Sequence, residues 1–145
     1  MLIVEERAVA ILGAKPSKKR PAGETLRVLV DRGLVVKSFA SLVAYADLTR
    51  ADLAQAADIP LRTVQRREAS RGGKFERDES DRLARVARLY AMAEDVLGSR
   101  EAAQRWMKSP NRALDGARPL DELETEVAAR EVEDVLGRIR YGIFG

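Results

Sequence analysis

The chain contains no cysteine and no histidine. Their absence removes disulfide bridges, thiol nucleophiles, the usual zinc ligands and imidazole acid–base chemistry together. Aromatic residues are scarce, at 5%, so burial must rest on Leu, Val, Ile and Ala. That supply suits helices meeting along aliphatic seams better than an aromatic-filled β-sandwich. Only 10 Gly and 5 Pro occur among 145 residues, beside 46% hydrophobic and 34% charged positions, which sets the chain apart from disordered and collagen-like compositions. No apolar run approaches the ~20 residues of a membrane span, and residues 1–12 carry Glu5, Glu6 and Arg7 inside the one candidate signal-peptide core. A GxSxG elbow, a Walker loop and a GxGxxG turn are also missing. The expectation is a mostly α, non-enzymatic, cytoplasmic protein without metal or cofactor; an enzyme would have to use carboxylates such as Glu122 and Glu124.

The net charge is only +3, but it is unevenly spread. Lys15, Lys18, Lys19 and Arg20 form a basic run beside Pro16 and Pro21, which reads as a flexible basic segment over residues 1–23, either a solvated connector or an arm on a DNA backbone. Residues 50–77 are basic through Arg50, Arg62, Arg66, Arg67, Arg71, Lys74 and Arg77, whereas acids outnumber bases from residue 111 onward. The two regions are expected to meet different partners.

Periodicity supplies the helices. Leu26, Leu29 and Val30 mark a helix over residues 24–31 stopped by Gly33, and Phe39, Leu42, Val43 and Ala46 mark a second that ends near Asp47. Thr49 caps a third, with Asp52 at the capping-box position. The cluster Asp78-Glu79-Ser80-Asp81 signals the start of the longest helix, which carries Leu83, Val86, Tyr90, Ala93 and Leu97 down to Gly98. Ser99 caps a short helix to Lys108, Pro119 opens a helical turn, and Val132, Val135, Leu136 and Ile139 form a last helix before Tyr141.

Residues 48–67 carry the most specific local pattern, that of a helix-turn-helix. Ala54 is small where two helices would cross closely, and Leu53, Ala57, Ile59 and Val64 supply the apolar contacts that fix one helix on the other. Asp58 holds the turn position where Gly is usual, and Asp tolerates the left-handed conformation. At ~100° per residue, Arg62, Gln65, Arg66 and Ala69 share one face and Val64 points the other way. Arg matches guanine O6 and N7, and Gln matches adenine N6 and N7. Arg62, Gln65 and Arg66 are therefore candidate base readers, with Thr63, Arg67 and Arg71 on the flanks as candidate phosphate contacts. A dimer on symmetric half-sites is expected. A helix-turn-helix used only for packing or dimerisation fits the same pattern.

The whole arrangement resembles Xre-type antitoxins of the RES-Xre and ParS group of type II toxin-antitoxin modules, over about residues 31–145. The N-terminal likeness rests on residues 48–68 and on Glu79-Ser80-Asp81-Arg82-Leu83. The more specific likeness is C-terminal, in Ala102-Ala103-Gln104-Arg105-Trp106-Met107, Ser109-Pro110-Asn111, Leu114-Asp115-Gly116, Arg118-Pro119-Leu120-Asp121-Glu122-Leu123, residues 125–139 and Tyr141-Gly142-Ile143-Phe144. Ala128 and Asp115 stand where the family frequently has Gly. The resemblance implies a helix-turn-helix DNA-binding domain over residues 24–77, a small, mainly helical toxin-binding domain over 78–145, a cognate RES-domain toxin that depletes NAD, operator DNA for autoregulation, and a homodimer within a larger complex.

Two readings attach to the tail. Arg138, Arg140, Tyr141, Gly142, Ile143, Phe144 and Gly145 combine charge, aromatic surface and glycine, which suits contact with the toxin at its active-site entrance. Alternatively, Ile143 and Phe144 dock on Val135 and Ile139 as core. Trp106 reads as a hub of the C-terminal core rather than a partner anchor. A free-standing transcription regulator whose C-terminal part only dimerises is the other reading of the chain as a whole.

Overall fold

The structure is a computed structural model that describes residues 3–14 and 22–142. Among these it forms eight α-helices: α1 (Val4–Ile11), α2 (Ala22–Arg32), α3 (Lys37–Ala46), α4 (Arg50–Ala56), α5 (Leu61–Ala69), α6 (Arg77–Leu97), α7 (Arg100–Lys108) and α8 (Glu126–Arg140). Two 3-10 turns, Arg112–Leu114 and Pro119–Glu122, separate α7 from α8. The mostly α fold expected from the composition is what forms.

Helix α6 is the spine. Its residues Leu83, Ala84, Val86, Ala87, Leu89, Tyr90, Ala91 and Ala93 are all buried, a spread too wide for one face of a helix, and α1, α2, α3, α7 and α8 all pack against it. One aliphatic core runs from Ala8 in α1 to Leu136 in α8. The boundary expected between residues 77 and 78 thus falls in the first turn of a helix that both halves share. The helix also starts earlier than the Asp78–Asp81 cluster suggests: Glu76 is its N-cap, and Glu76 and Glu79 bond each other's backbone N–H groups reciprocally.

The N-terminal segment differs from expectation. Residues 4–11 are helical, with Ala8 and Val9 fully buried and Ile11 nearly so, because these apolar side chains face α6 and remove their surface from water. Arg7 reaches Glu94 of α6 at 2.7 Å, the Tyr45 hydroxyl donates to the same carboxylate, and Ser41 Oγ donates to Ile11 O. α1 is therefore part of the packed body and not a flexible arm. The basic run Lys15, Lys18, Lys19 and Arg20 lies outside the described residues.

The two halves are also joined through backbone groups. The last carbonyls of a helix have no partner within it and attract cations. At the end of α3 these carbonyls are taken by α7: Arg100 donates to Ala44 O (2.7 Å) and Tyr45 O (3.0 Å), Gln104 to Tyr45 O (2.7 Å), and Lys108 to Asp47 O. These three α7 side chains recur every four residues, on one face of the helix. Arg100 also lies over the Tyr45 ring. Trp106 is half-buried against the core.

Two substitutions test this packing. Val9→Ala should lower stability by roughly 2 kcal/mol, the cost of a cavity in a core position, read as a shift in the urea midpoint; an unchanged midpoint would mean that α1 contributes nothing to the core. Tyr90 is fully buried, makes an edge-on contact with Tyr45, and its hydroxyl has no hydrogen-bond partner among the described residues; burial pushes its ionisation well above the usual phenol range. Because an unmatched buried hydroxyl destabilises a fold, Tyr90→Phe should leave the thermal midpoint unchanged or raise it, and a clear fall would reveal a partner for the hydroxyl.

Candidate nucleic-acid and partner-binding faces

The helix-turn-helix forms as its residues require. Thr49 Oγ1 accepts the Asp52 N–H at 3.0 Å and opens α4. Asp58 adopts the left-handed conformation at φ 51°, the turn geometry expected of it. Leu53, Ala54, Ala57, Ile59 and Val64 are buried at the crossing of α4 and α5. Arg82 of α6 then fixes the turn from behind, donating to Ala57 O (2.8 Å) and Asp58 O (3.2 Å). The sequence gives no hint of this contact, since donor and acceptors lie far apart in the chain and carbonyl acceptors are common to every residue.

The six residues expected to meet DNA divide by their surroundings. Arg62, Gln65 and Arg66 are exposed along one side of α5, Thr63 is half-buried beside them, and Arg71 is exposed in the turn that follows. Arg62, Arg66 and Arg71 form no ion pair with any described residue. Arg67 is different. Its guanidinium grips the buried Glu79 with two hydrogen bonds, of 3.2 and 3.1 Å, and Glu76 at 3.3 Å. The hydrogen bond to Glu79 raises its pKa further above the ordinary arginine range. This fork ties α5 to the start of α6. Arg50 is likewise engaged, by Glu68 and by the Phe39 ring.

A second face lies on α8. Val127, Arg130, Glu131, Asp134 and Tyr141 are exposed at helical spacing, with Val127 and Tyr141 each at 76%. Arg138 and Tyr141 border a shallow groove of about 500 Å³ with Met92, Glu133, Asp134 and Gly137. Arg140 is held by Asp95 at 2.7 Å, and Gly142 is exposed. Ile143, Phe144 and Gly145 lie outside the described residues, and so does the choice between a docked and a projecting tail.

Residues 26–88 match the family model of the antitoxin Xre-like helix-turn-helix domain, and residues 92–142 match that of the antitoxin Xre/MbcA/ParS C-terminal toxin-binding domain. The chain is 35% identical over 123 residues to the antitoxin Xre of Photorhabdus laumondii, covering 84% of this chain and 82% of that one. It is 36% identical over 121 residues to the antitoxin Xre of Yersinia enterocolitica, covering 81% of each. It is 40% identical over 84 residues to the antitoxin Xre of Pseudomonas putida, covering 58% of this chain and 52% of its relative. The chain belongs to the Xre antitoxin family. In this Xre antitoxin the two family segments meet inside α6, the helix on which both halves pack.

The partners of Arg67 give it a role separable from those of its neighbours. Arg67→Ala leaves the nearly buried Glu79 carboxylate short of its cation and should cost about 2 kcal/mol of stability. Arg66→Ala, at an exposed and unpaired position, should stay within about 0.5 kcal/mol. Urea denaturation of the two variants decides this, and equal stabilities would remove the structural role of Arg67.

Proposed function

We propose that this antitoxin neutralises a RES-domain, NAD-depleting toxin through its C-terminal half and represses its own promoter through α4 and α5, acting as a homodimer in the cytoplasm without catalysis of its own. The observation that carries the DNA half is the arrangement of α5, where Arg62, Gln65 and Arg66 are exposed on the solvent side while Val64 is fully buried on the other. These are the side-chain types that read guanine and adenine edges in the major groove. For the toxin half, support comes from the family match over residues 92–142 and from the exposed α8 face that ends at Tyr141, beside the half-buried Arg138. The RES identity and the loss of NAD rest on the resemblance of the C-terminal motifs. In this reading Arg138, Tyr141 and the residues after them meet the toxin near its nucleotide pocket. Arg140 is the positioned neighbour, anchored by Asp95.

Cells expressing the RES-domain protein encoded beside this antitoxin should lose NAD, and co-expression of the antitoxin should restore it. The variant Arg138→Ala with Tyr141→Ala should fold with an unchanged thermal midpoint yet protect poorly; full protection would place the toxin contact elsewhere. On a duplex taken from upstream of the antitoxin's own coding sequence, Arg62→Ala or Arg66→Ala should cost roughly 1–3 kcal/mol and relax base preference at single positions. Binding of that duplex by a dimer that neutralises no toxin would favour a free-standing regulator.

A further inference from the structure

The chain that leaves α5 folds back into a small, tightly joined corner. Residues 73–75 pair with residues 34–36: Phe75 N–H donates to Leu34 O (2.8 Å), Val36 N–H to Gly73 O (3.4 Å), and Val35 and Lys74 form an antiparallel bridge. Two glycines close it. A Cβ on Gly73 would fall 2.0 Å from Arg67 O, and one on Gly33, at φ 83°, would fall 2.5 Å from Phe75 O, so neither position admits a side chain without moving backbone. The last turn of α5, the loop after it and the entry to α3 are thereby held as one piece, and Arg67 on Glu79 ties that piece to α6.

The corner is cationic on its outer side. Lys74 stands opposite Val35, which is 50% exposed, and residues directly opposite across an antiparallel pair share a face, so both point to solvent. Lys37, the first residue of α3, follows the bridge by two positions and is exposed, as is Arg71. None of the three has an acidic partner among the described residues, while the acids nearby are already matched: Glu68 by Arg50, Glu76 and Glu79 by Arg67, and Asp31 by Arg77. What remains is uncompensated positive charge on a rigid support, beside the helix that bears Arg62 and Arg66.

We propose that Lys37, Lys74 and Arg71 form a phosphate clamp that grips the DNA backbone beyond the C-terminal end of α5 and so fixes how that helix lies in the major groove. The proposal rests on the DNA-binding reading of α5. The two lysines are compact point charges on flexible stems, suited to a phosphate and indifferent to base identity, and the planar fork of Arg71 matches phosphate oxygens as well. Lys37 joins the clamp only through the fold, since the bridge brings it to Lys74 from a distant part of the sequence.

The test uses the full-length chain with Lys37→Ala and Lys74→Ala together, titrated by fluorescence anisotropy against the upstream duplex and against a mixed-sequence duplex of the same length. Across a salt series, the slope of log affinity on log salt should become shallower by about 0.9 for each lost phosphate contact. Affinity at about 0.15 M salt should fall about ten-fold for both duplexes alike, leaving the preference between them intact. The thermal midpoint should not move, and Lys37→Arg with Lys74→Arg should restore binding. An unchanged slope in a protein whose binding still depends on Arg62 overturns the clamp and leaves the α5 reading standing. A loss confined to the upstream duplex also overturns it, because it would make these lysines readers of sequence. Failure of the unaltered chain to bind either duplex removes the DNA reading and the clamp with it.

Discussion

Helix α6 is surrounded by other helices along most of its length, and close approach from several sides requires small residues wherever a neighbour crosses. Ala84, Ala87, Ala91 and Ala93 supply them, between the larger Leu83, Leu89 and Tyr90. The cations of α6 continue the same constraint outward. Arg82 donates to the carbonyls of Ala57 and Asp58 in the turn of the helix-turn-helix, and Arg85 to those of Leu123 and Glu124 at the entrance to α8. Three residues apart on α6, they hold one backbone segment from each half. Both family segments therefore rest on a single support, and a displacement of α6 would be felt at α5 and α8 together.

Charge in this protein acquires its meaning from pairing. The basic middle of the chain divides into arginines that build the fold, such as Arg50 and Arg67, and cations that have no ion-pair partner among the described residues, such as Arg62, Arg66 and Arg71. Exposed ion pairs add little to stability, but the fork of Arg67 on a buried carboxylate orients a whole helix. The direction of α5 is thus set by side chains other than those on its solvent face. The α8 face follows a similar division: Arg88 and Arg140 hold Glu133 and Asp95, while Arg130, Arg138 and Tyr141 face solvent or the groove beside α6.

The α7 contacts on α3 show how a C-terminal segment adds polar bonds to the apolar core that it shares with the N-terminal half. Arg100, Gln104 and Lys108 take up carbonyls that the end of α3 leaves open. Such carbonyls must find partners in any fold, so the arrangement serves α3 and the docking of α7 at once.

Sequence alone determined what depends on near neighbours: most helix spans, the Thr49 and Ser99 caps, the left-handed Asp58, and the opposed faces of α5, because propensity, capping and periodicity act within a few residues. It misjudged residues 4–11, whose short length and acidic start hide an apolar face that becomes visible only when α6 is there to cover it. It placed Arg67 beside Thr63 and Arg71 as a phosphate contact, since an arginine's partner is a matter of approach in space and Glu79 comes within reach only once α5 and α6 are docked. The places of Lys37, Arg82, Arg85 and Arg100 were likewise settled by tertiary structure. Each acts through backbone pairing or carbonyl acceptors remote in the chain, and a carbonyl carries no mark of residue type that a sequence could display.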